Sequence, residues 1–204
     1  MIVIVDYGMG NLKSIQNMFK KVGVAVKIAS SHDEIMTADK LILPGVGAFD
    51  NAMKNLNEMK LIPVLREKVL AEKTPTLGIC LGMQLLTERS EEGTLPGLGW
   101  IKGETKRFAF TGENAKLRIP HMGWNTVEIC KESKLFADMY DEPRYYFVHS
   151  FHVVCTDDSD SLCKTEYGYA FTSAVERGNI YGAQFHPEKS HKFGMKLLKN
   201  FAEL

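Results

Sequence analysis

Thr74-Pro75-Thr76-Leu77-Gly78-Ile79-Cys80-Leu81-Gly82-Met83-Gln84 is the stretch from which this chain is best read. A short apolar segment runs into the helix-like Met83–Leu86, with Gly78-Ile79-Cys80-Leu81-Gly82 at the junction. Gly-x-Cys-x-Gly at a strand-to-helix turn is the cysteine form of a nucleophile elbow, in which small flanking residues let the backbone bend sharply. Such a turn exposes the sulfur at the tip of a sheet. It also sets the sulfur at a helix N-terminus, where the dipole and free amides favour thiolate. The amide of Leu81 then points to where an oxyanion would form. A lone cysteine between two turn glycines is ordinarily a buried core thiol, so the elbow needs support from elsewhere in the chain.

That support is Gln184-Phe185-His186-Pro187-Glu188. A thiol nucleophile needs a base, and the base needs an orienting group. His186 brings an imidazole that titrates near neutrality. Glu188 lies two residues on, so in an extended stretch both side chains emerge on one side. Pro187 restricts the backbone and favours extension of His186. His-x-Glu alone is weak evidence, because a structural histidine beside a surface glutamate is common. Together with the elbow it describes a Cys80, His186, Glu188 triad in chain order.

The 204 residues suit one domain, 1–204, with a full hydrophobic core. A formal net charge of +0, with 25 basic and 25 acidic residues interspersed, implies no bulk attraction to nucleic acid or membrane. Ile2–Val5 is interrupted at once by Asp6 and reads as no signal peptide. No apolar run approaches the roughly 20 residues of a membrane helix. Cys80, Cys130, Cys155 and Cys163 form no CxxC pair and match no zinc spacing, which suggests reduced thiols in a cytoplasmic protein and no metal.

The first half alternates strands and helices. Ile2–Val5 reads as a doubly buried strand, and Asn11–Val22 as a helix with Leu12, Ile15, Phe19 and Val22 at helical spacing before Gly23. Val24–Ala29, Leu41–Leu43 and Thr76–Ile79 read as strands, and Leu61–Ala71 as a helix with Pro63 in its first turn. Alternation of this kind implies an α/β fold with a mostly parallel central sheet, helices on its faces, and ligands at the carboxyl ends of the strands. The second half is β-rich and aromatic: Gly99–Phe110, Leu117–Ile129, Tyr145–Cys155, Leu162–Glu166 and Ala170–Phe185, with a turn at Arg177-Gly178-Asn179. A closing helix, Lys192–Leu204, has Ser190 as its candidate cap.

Several short constellations surround the expected cleft. Asp6-Tyr7-Gly8-Met9-Gly10-Asn11 follows the first strand but lacks the third glycine of a dinucleotide fingerprint. It reads as a tight turn displaying Tyr7, Met9 and Asn11 on the face of the active site. Pro44-Gly45-Val46-Gly47 follows the third strand, where a backbone amide can serve as a second oxyanion donor beside Leu81 or simply form a turn before a helix. In Tyr146-Phe147-Val148-His149-Ser150-Phe151, alternation puts Tyr146, Val148 and Ser150 on one face. For His121 and His149 a satisfied structural role is the default.

Gly-x-Cys-x-Gly-x-Gln, Pro-Gly-Val-Gly and Gln-Phe-His-Pro-Glu resemble class I, triad-type glutamine amidotransferase domains. Asp-Tyr-Gly-Met-Gly-Asn, Pro-His-Met-Gly-Trp-Asn and Tyr-Phe-Val-His-Ser resemble one branch of that family, the glutaminase subunits of imidazole glycerol phosphate synthase. The resemblance spans nearly the whole chain, in order. It implies hydrolysis of L-glutamine to glutamate and ammonia, with ammonia passed to a TIM-barrel synthase/cyclase subunit, HisF-like, in histidine biosynthesis. It implies Cys80 as nucleophile, His186 as acid/base, Glu188 as orienter, and the Val46 and Leu81 amides as oxyanion hole. Gly45, Gly47, Gln84, His149, Ser150 and Phe151 would hold glutamine, Asn11, Trp124, Tyr146 and Lys189 would lie toward the partner, and no cofactor is needed.

Two other readings share the same triad. A related subunit pair supplies ammonia for acetamidino groups on nucleotide-activated sugars, and Glu188–Gly194 and Leu98–Ile101 look closer to that pair. A γ-glutamyl hydrolase or cysteine peptidase could use the same elbow, though Gln84 favours a site for free glutamine.

Overall fold

Four consecutive β-branched apolar residues leave no side of a strand suited to water. In the computed structural model, which describes residues Met1–Leu204, this strand, β1 (Ile2–Val5), is buried on both faces. Helix α1 (Leu12–Lys21) follows, its start fixed by Asn11, whose side chain accepts from Ser14 N at 3.2 Å. Next come β2 (Val26–Ala29), α2 (His32–Met36), β3 (Lys40–Leu43), α3 (Phe49–Glu58) and α4 (Leu61–Arg66). The last continues as a π-helical turn, Glu67–Ala71. Strand β4 (Thr76–Ile79) then feeds the short helix α5 (Leu81–Leu85).

The second half supplies β5 (Arg89–Ser90), β6 (Gly103–Arg107), β7 (His121–Thr126), β8 (Glu128–Ile129), β9 (Arg144–His149) and β10 (Phe151–Cys155). It ends with β11 (Ser161–Glu166), β12 (Ala170–Arg177), β13 (Ile180–Ala183) and α6 (His191–Glu203). The main sheet runs β2-β1-β3-β4-β13-β12-β10-β6-β5, with β11 and β8 branching from β12. Pairing is parallel from β2 to β13 and antiparallel from β13 through β12 and β10 to β6. Strands β7 and β9 form a separate antiparallel ribbon.

Two apolar layers cover the main sheet. Ile2, Ile4, Leu77 and Ile79 face Phe19, Leu197, Leu198 and Phe201 on one side, while Val3, Val5, Leu41 and Leu43 face Phe49, Met53 and Leu65 on the other. The expected α/β architecture is present. Its boundaries depart from the sequence reading in understandable places. Strand β2 starts at Val26, after the chain leaves Gly23. Ala48, ahead of the amphipathic α3, provides no capping side chain; the amide of Phe49 instead donates to the Glu92 carboxylate at 3.0 Å. Ser190 stands at the start of α6 but makes no cap bond. Its hydroxyl donates to the His186 carbonyl at 2.6 Å and accepts from Tyr146 N at 3.0 Å, so it ties the His186 segment to β9.

The elbow is where backbone crowding is greatest. A Cβ on Gly82 would lie 1.8 Å from the Leu43 carbonyl oxygen, and one on Gly78 would lie 2.6 Å from that of Gly82. Helix α5 can thus sit on the ends of β3 and β4 only if these positions are bare. Gly82→Ala is expected to destabilise the chain by about 1–3 kcal/mol through forced backbone displacement. Urea unfolding with an unchanged midpoint would contradict this packing.

Candidate active site

Cys80 occupies the single residue between β4 and α5, with φ 54° and ψ −110°. Positive φ in a non-glycine residue costs on the order of 1–3 kcal/mol and persists only when its surroundings over-determine it. Here the Cys80 amide donates to the Ala183 carbonyl at 2.7 Å, and its carbonyl accepts from Met83 N at 3.0 Å. The strand-to-helix elbow expected from Gly-x-Cys-x-Gly is present. Helix α5 has five residues, so its dipole is smaller than the sequence reading supposed.

His186 reaches the same place from β13. Parallel pairing sets Ala183 beside Ile79, and the chain then continues through Gln184 and Phe185 to His186. Glu188 does not lie on an extended strand, as the His-x-Glu spacing suggested. Pro187–Lys189 forms a short 3-10 turn, and this turn swings the carboxylate back so that Oε1 sits 2.8 Å from His186 Nδ1. Both side chains are almost fully sealed from water. Burial alone would lower the imidazole pKa. Hydrogen bonding and charge from Cys80 and Glu188 outweigh it and raise the value to about 10. Nε2 itself is buried and completes no hydrogen bond, so the sulfur acts on the ring without yet being aligned with it. Loose pairs of this kind tighten when a substrate enters.

A cavity of about 350 Å³ opens between these groups. Cys80, Leu81, Gln84 and His186 line it, as do Val46, Gly47, His149, Ser150, Phe151 and, at the rim, Lys189. Gly45 does not. It packs under the site, where an added Cβ would meet Leu81 Cβ at 2.8 Å and Gly82 N at 2.9 Å. Tyr7 is a correction. It is fully buried rather than displayed, and its hydroxyl donates to the Pro44 carbonyl beneath the Val46 segment. Asn11 caps α1 through its side-chain oxygen.

Glu92 was not found by sequence reasoning, yet it lines the cavity. Burial raises its pKa, with the amide of Phe49 opposing. Ser90-Glu91-Glu92-Gly93 looks like any solvated turn, and only folding aims Glu92 inward.

Gln84 spends both amide N–H groups away from the cavity, on Phe151 O and Gln184 Oε1, each at 3.1 Å. Its oxygen is what remains for a ligand. His121 and His149 are bonded to each other, and His149 also lines the cavity. Their ring nitrogens face each other at 3.0 Å, and burial lowers their pKa values to about 4 and about 3. Trp124, half exposed, packs 5.5 Å from His191 and 6.4 Å from Tyr146, ring centre to ring centre. Lys189 Nζ lies 5.6 Å over Tyr146. Three of the four residues expected toward a partner thus make one surface beside the cavity mouth.

The raised His186 pKa has a thermodynamic consequence. The folded protein holds a proton there that the unfolded chain releases near pH ~6.5. This contribution to stability is complete below that pH and is lost as the pH climbs through about 10. His186→Asn should lose less thermal stability than the parent chain between pH 7 and 10. Parallel declines in the two proteins would place the linked proton elsewhere.

Residues 3–204 match the family model described as glutamine amidotransferase class-I. The subunit named imidazole glycerol phosphate synthase subunit HisH 2 of Methanococcus maripaludis is 55% identical over 201 residues, 98% of each chain. A protein of the same name from Pseudomonas aeruginosa is 50% identical over the full length of both. A crystal structure of a glutamine amidotransferase superposes with a TM-score of 0.74 at 20% identity, covering 100% of this chain and 98% of the other, which bears on the fold alone. The chain belongs to the class-I glutamine amidotransferase family, in its HisH subunit branch.

Proposed function

We propose that residues 1–204 act as one glutaminase domain that hydrolyses L-glutamine to L-glutamate and ammonia and supplies the ammonia to imidazole glycerol phosphate synthesis. The observation that carries this reading is the buried, unpaired Nε2 of His186 facing the same cavity as the sulfur of Cys80, with Glu188 fixed behind it. In this mechanism the Cys80 thiolate attacks the γ-carboxamide carbon, and the C=O electron pair moves onto oxygen. Amides of Leu81 and Val46 receive that oxyanion. His186 gives its Nε2 proton to the leaving nitrogen, the C–N bond breaks, and ammonia departs. Water then attacks the γ-glutamyl thioester, giving its proton to His186, and the C–S bond breaks to return the thiolate. Glu188 holds the ring in the tautomer that this exchange requires.

The names of the relatives, subunits of a synthase, support a partner subunit. In this reading it is a TIM-barrel, HisF-like synthase/cyclase subunit that docks on the Trp124, Tyr146 and Lys189 surface, and glutamine is the substrate. The amidino-sugar and γ-glutamyl hydrolase alternatives share the triad, but none of the relatives named above points to them.

Cys80→Ala is expected to abolish glutamine-dependent synthesis by the complex while ammonia-dependent synthesis survives, because the thiol serves only to release ammonia. Loss of both, with the complex intact, would overturn the assignment. Glu188→Gln should lower glutamine turnover by roughly 10²–10⁴, as expected for an orienting carboxylate, and parent-level turnover would remove it from the triad.

Partner dependence forms a separate expectation. The Val46 amide is one of the two proposed oxyanion donors and is flanked by Gly45 and Gly47, so a docked partner can select its competent state. One such donor is worth roughly 10²–10³ in rate. Turnover of the isolated chain should fall short of the complex by about that factor. Lys189→Ala and Trp124→Ala should weaken the activation. Full turnover by the free chain would end this proposal.

A further inference from the structure

One donor outside the triad is aligned on the sulfur of Cys80. Gln184 Nε2 lies 3.7 Å from Sγ, within hydrogen-bond range for sulfur, and the Gln184 side chain is wholly buried. An amide can face either way, so the question is what holds its nitrogen toward the sulfur. Its neighbours fix the orientation. The Phe151 carbonyl can only accept, so the Gln84 group 3.1 Å from it must be the amino group. That same Gln84 nitrogen is 3.1 Å from Gln184, which must then present its oxygen. The remaining Gln184 group, turned to Cys80, is therefore the donor.

The anchor of this chain is itself fixed. His149 Nδ1 lies 2.7 Å from the Phe151 carbonyl and so carries the proton. Its Nε2 is then the acceptor for His121 Nδ1–H, and His121 Nε2 accepts from the Asn125 amide at 3.3 Å. Both rings are neutral, so no charge competes with the ordering. The path begins on β7, beside Trp124, and ends at the nucleophile.

We propose that Gln184 is a positioning residue for the nucleophile, its carboxamide locked by Gln84 and the Phe151 carbonyl so that Nε2–H donates to the Cys80 thiolate. This deepens the glutaminase reading and rests on it only for the reaction served. When the thioester is hydrolysed, the C–S bond breaks and its electron pair returns to Sγ, where this donor meets the restored charge. The other ionisable groups around the sulfur are His186, with Glu188 behind it, Tyr7 below the Pro44 segment, and Glu92, Lys189 and His149 in the cavity lining.

The test is the pH profile of Cys80 alkylation by iodoacetamide in the free chain, followed by peptide-resolved mass spectrometry so that the exposed Cys130 does not intrude. Gln184→Met keeps length and bulk but has no donor. Its alkylation rate at pH 7 should fall about tenfold, as for loss of one hydrogen bond to a charged group, with the profile moved to higher pH and the high-pH plateau unchanged. Gln84→Met, which leaves Gln184 in place but unlocks its orientation, should move the profile in the same direction by less. A filler role for Gln184 would change the plateau or the melting temperature and leave the midpoint where it was; that result overturns the proposal. Should neither variant fold, the unmodified chain still decides. The Gln184 side-chain amide proton resonance must titrate with the alkylation midpoint, and a resonance that ignores it counts against the donor. Failure of the glutaminase reading would show differently, as no ammonia from glutamine in a complex whose Cys80 profiles still shift.

Discussion

Everything at the cleft depends on the parallel register between β4 and β13. Strands from opposite halves of the chain pair Ile79 with Ala183, and the Cys80 amide completes that ladder by donating to the Ala183 carbonyl. One residue beyond the ladder on β4 stands the thiol; three beyond it on β13 stands the imidazole. Because side chains alternate along a strand, a slip of one residue would turn His186 away from the cleft and send Phe185 out of the core where it stacks on Tyr145. The register is held by what it buries, Leu77 and Ile79 on one side of the sheet and Leu43 and Met83 on the other.

The second half of the chain does more than complete a sheet. Strand β9 carries Tyr146, whose amide is bound by Ser190, and His186 N in turn donates to the Tyr146 carbonyl at 2.9 Å. The 3-10 turn that aims Glu188 is therefore clamped to the ribbon that also carries Trp124. Beneath it, His121, His149 and His152 sit among Phe108, Phe171 and Tyr167 as neutral rings, bonded to one another, to backbone and to tyrosine. Burial lowers the pKa of all three. The network gives direction without charge, whereas His186, a few residues away in space from His149, is kept charged by Glu188 and Cys80.

Much of this was legible in the sequence where a local rule applies. β4 was read at its observed bounds because Thr76–Ile79 is an apolar run that ends at a turn no bulky residue permits. Helix α1 was read from the spacing of Leu12, Ile15, Phe19 and Val22 and from Gly23 after it, while its asparagine cap emerged only in the structure. The misreadings occur where a residue's partner is remote. Tyr7 follows a strand and looks presented to solvent, but the turn after β1 folds it under the Pro44 carbonyl. Ser190 has the chemistry of a cap, and a neighbouring strand claims its hydroxyl. Glu92 caps a helix that begins 43 residues earlier.

The sequence by itself determined the class of fold, from the alternation of strands and helices along the first half, and the elbow at Cys80 and the pairing of His186 with Glu188, from residues within a few positions of one another. The chain belongs to its family by resemblance along its whole length, and that too needs no coordinates. Only tertiary structure decided which side chains share the cavity and which way their dipoles point. Gln184 is one more apolar-flanked polar residue until a carbonyl on β10 fixes Gln84, and Gln84 fixes it. That orientation is set by a sequence of donors and acceptors separated by as many as a hundred residues, and hydrogen bonds of that reach exist only after the chain has closed.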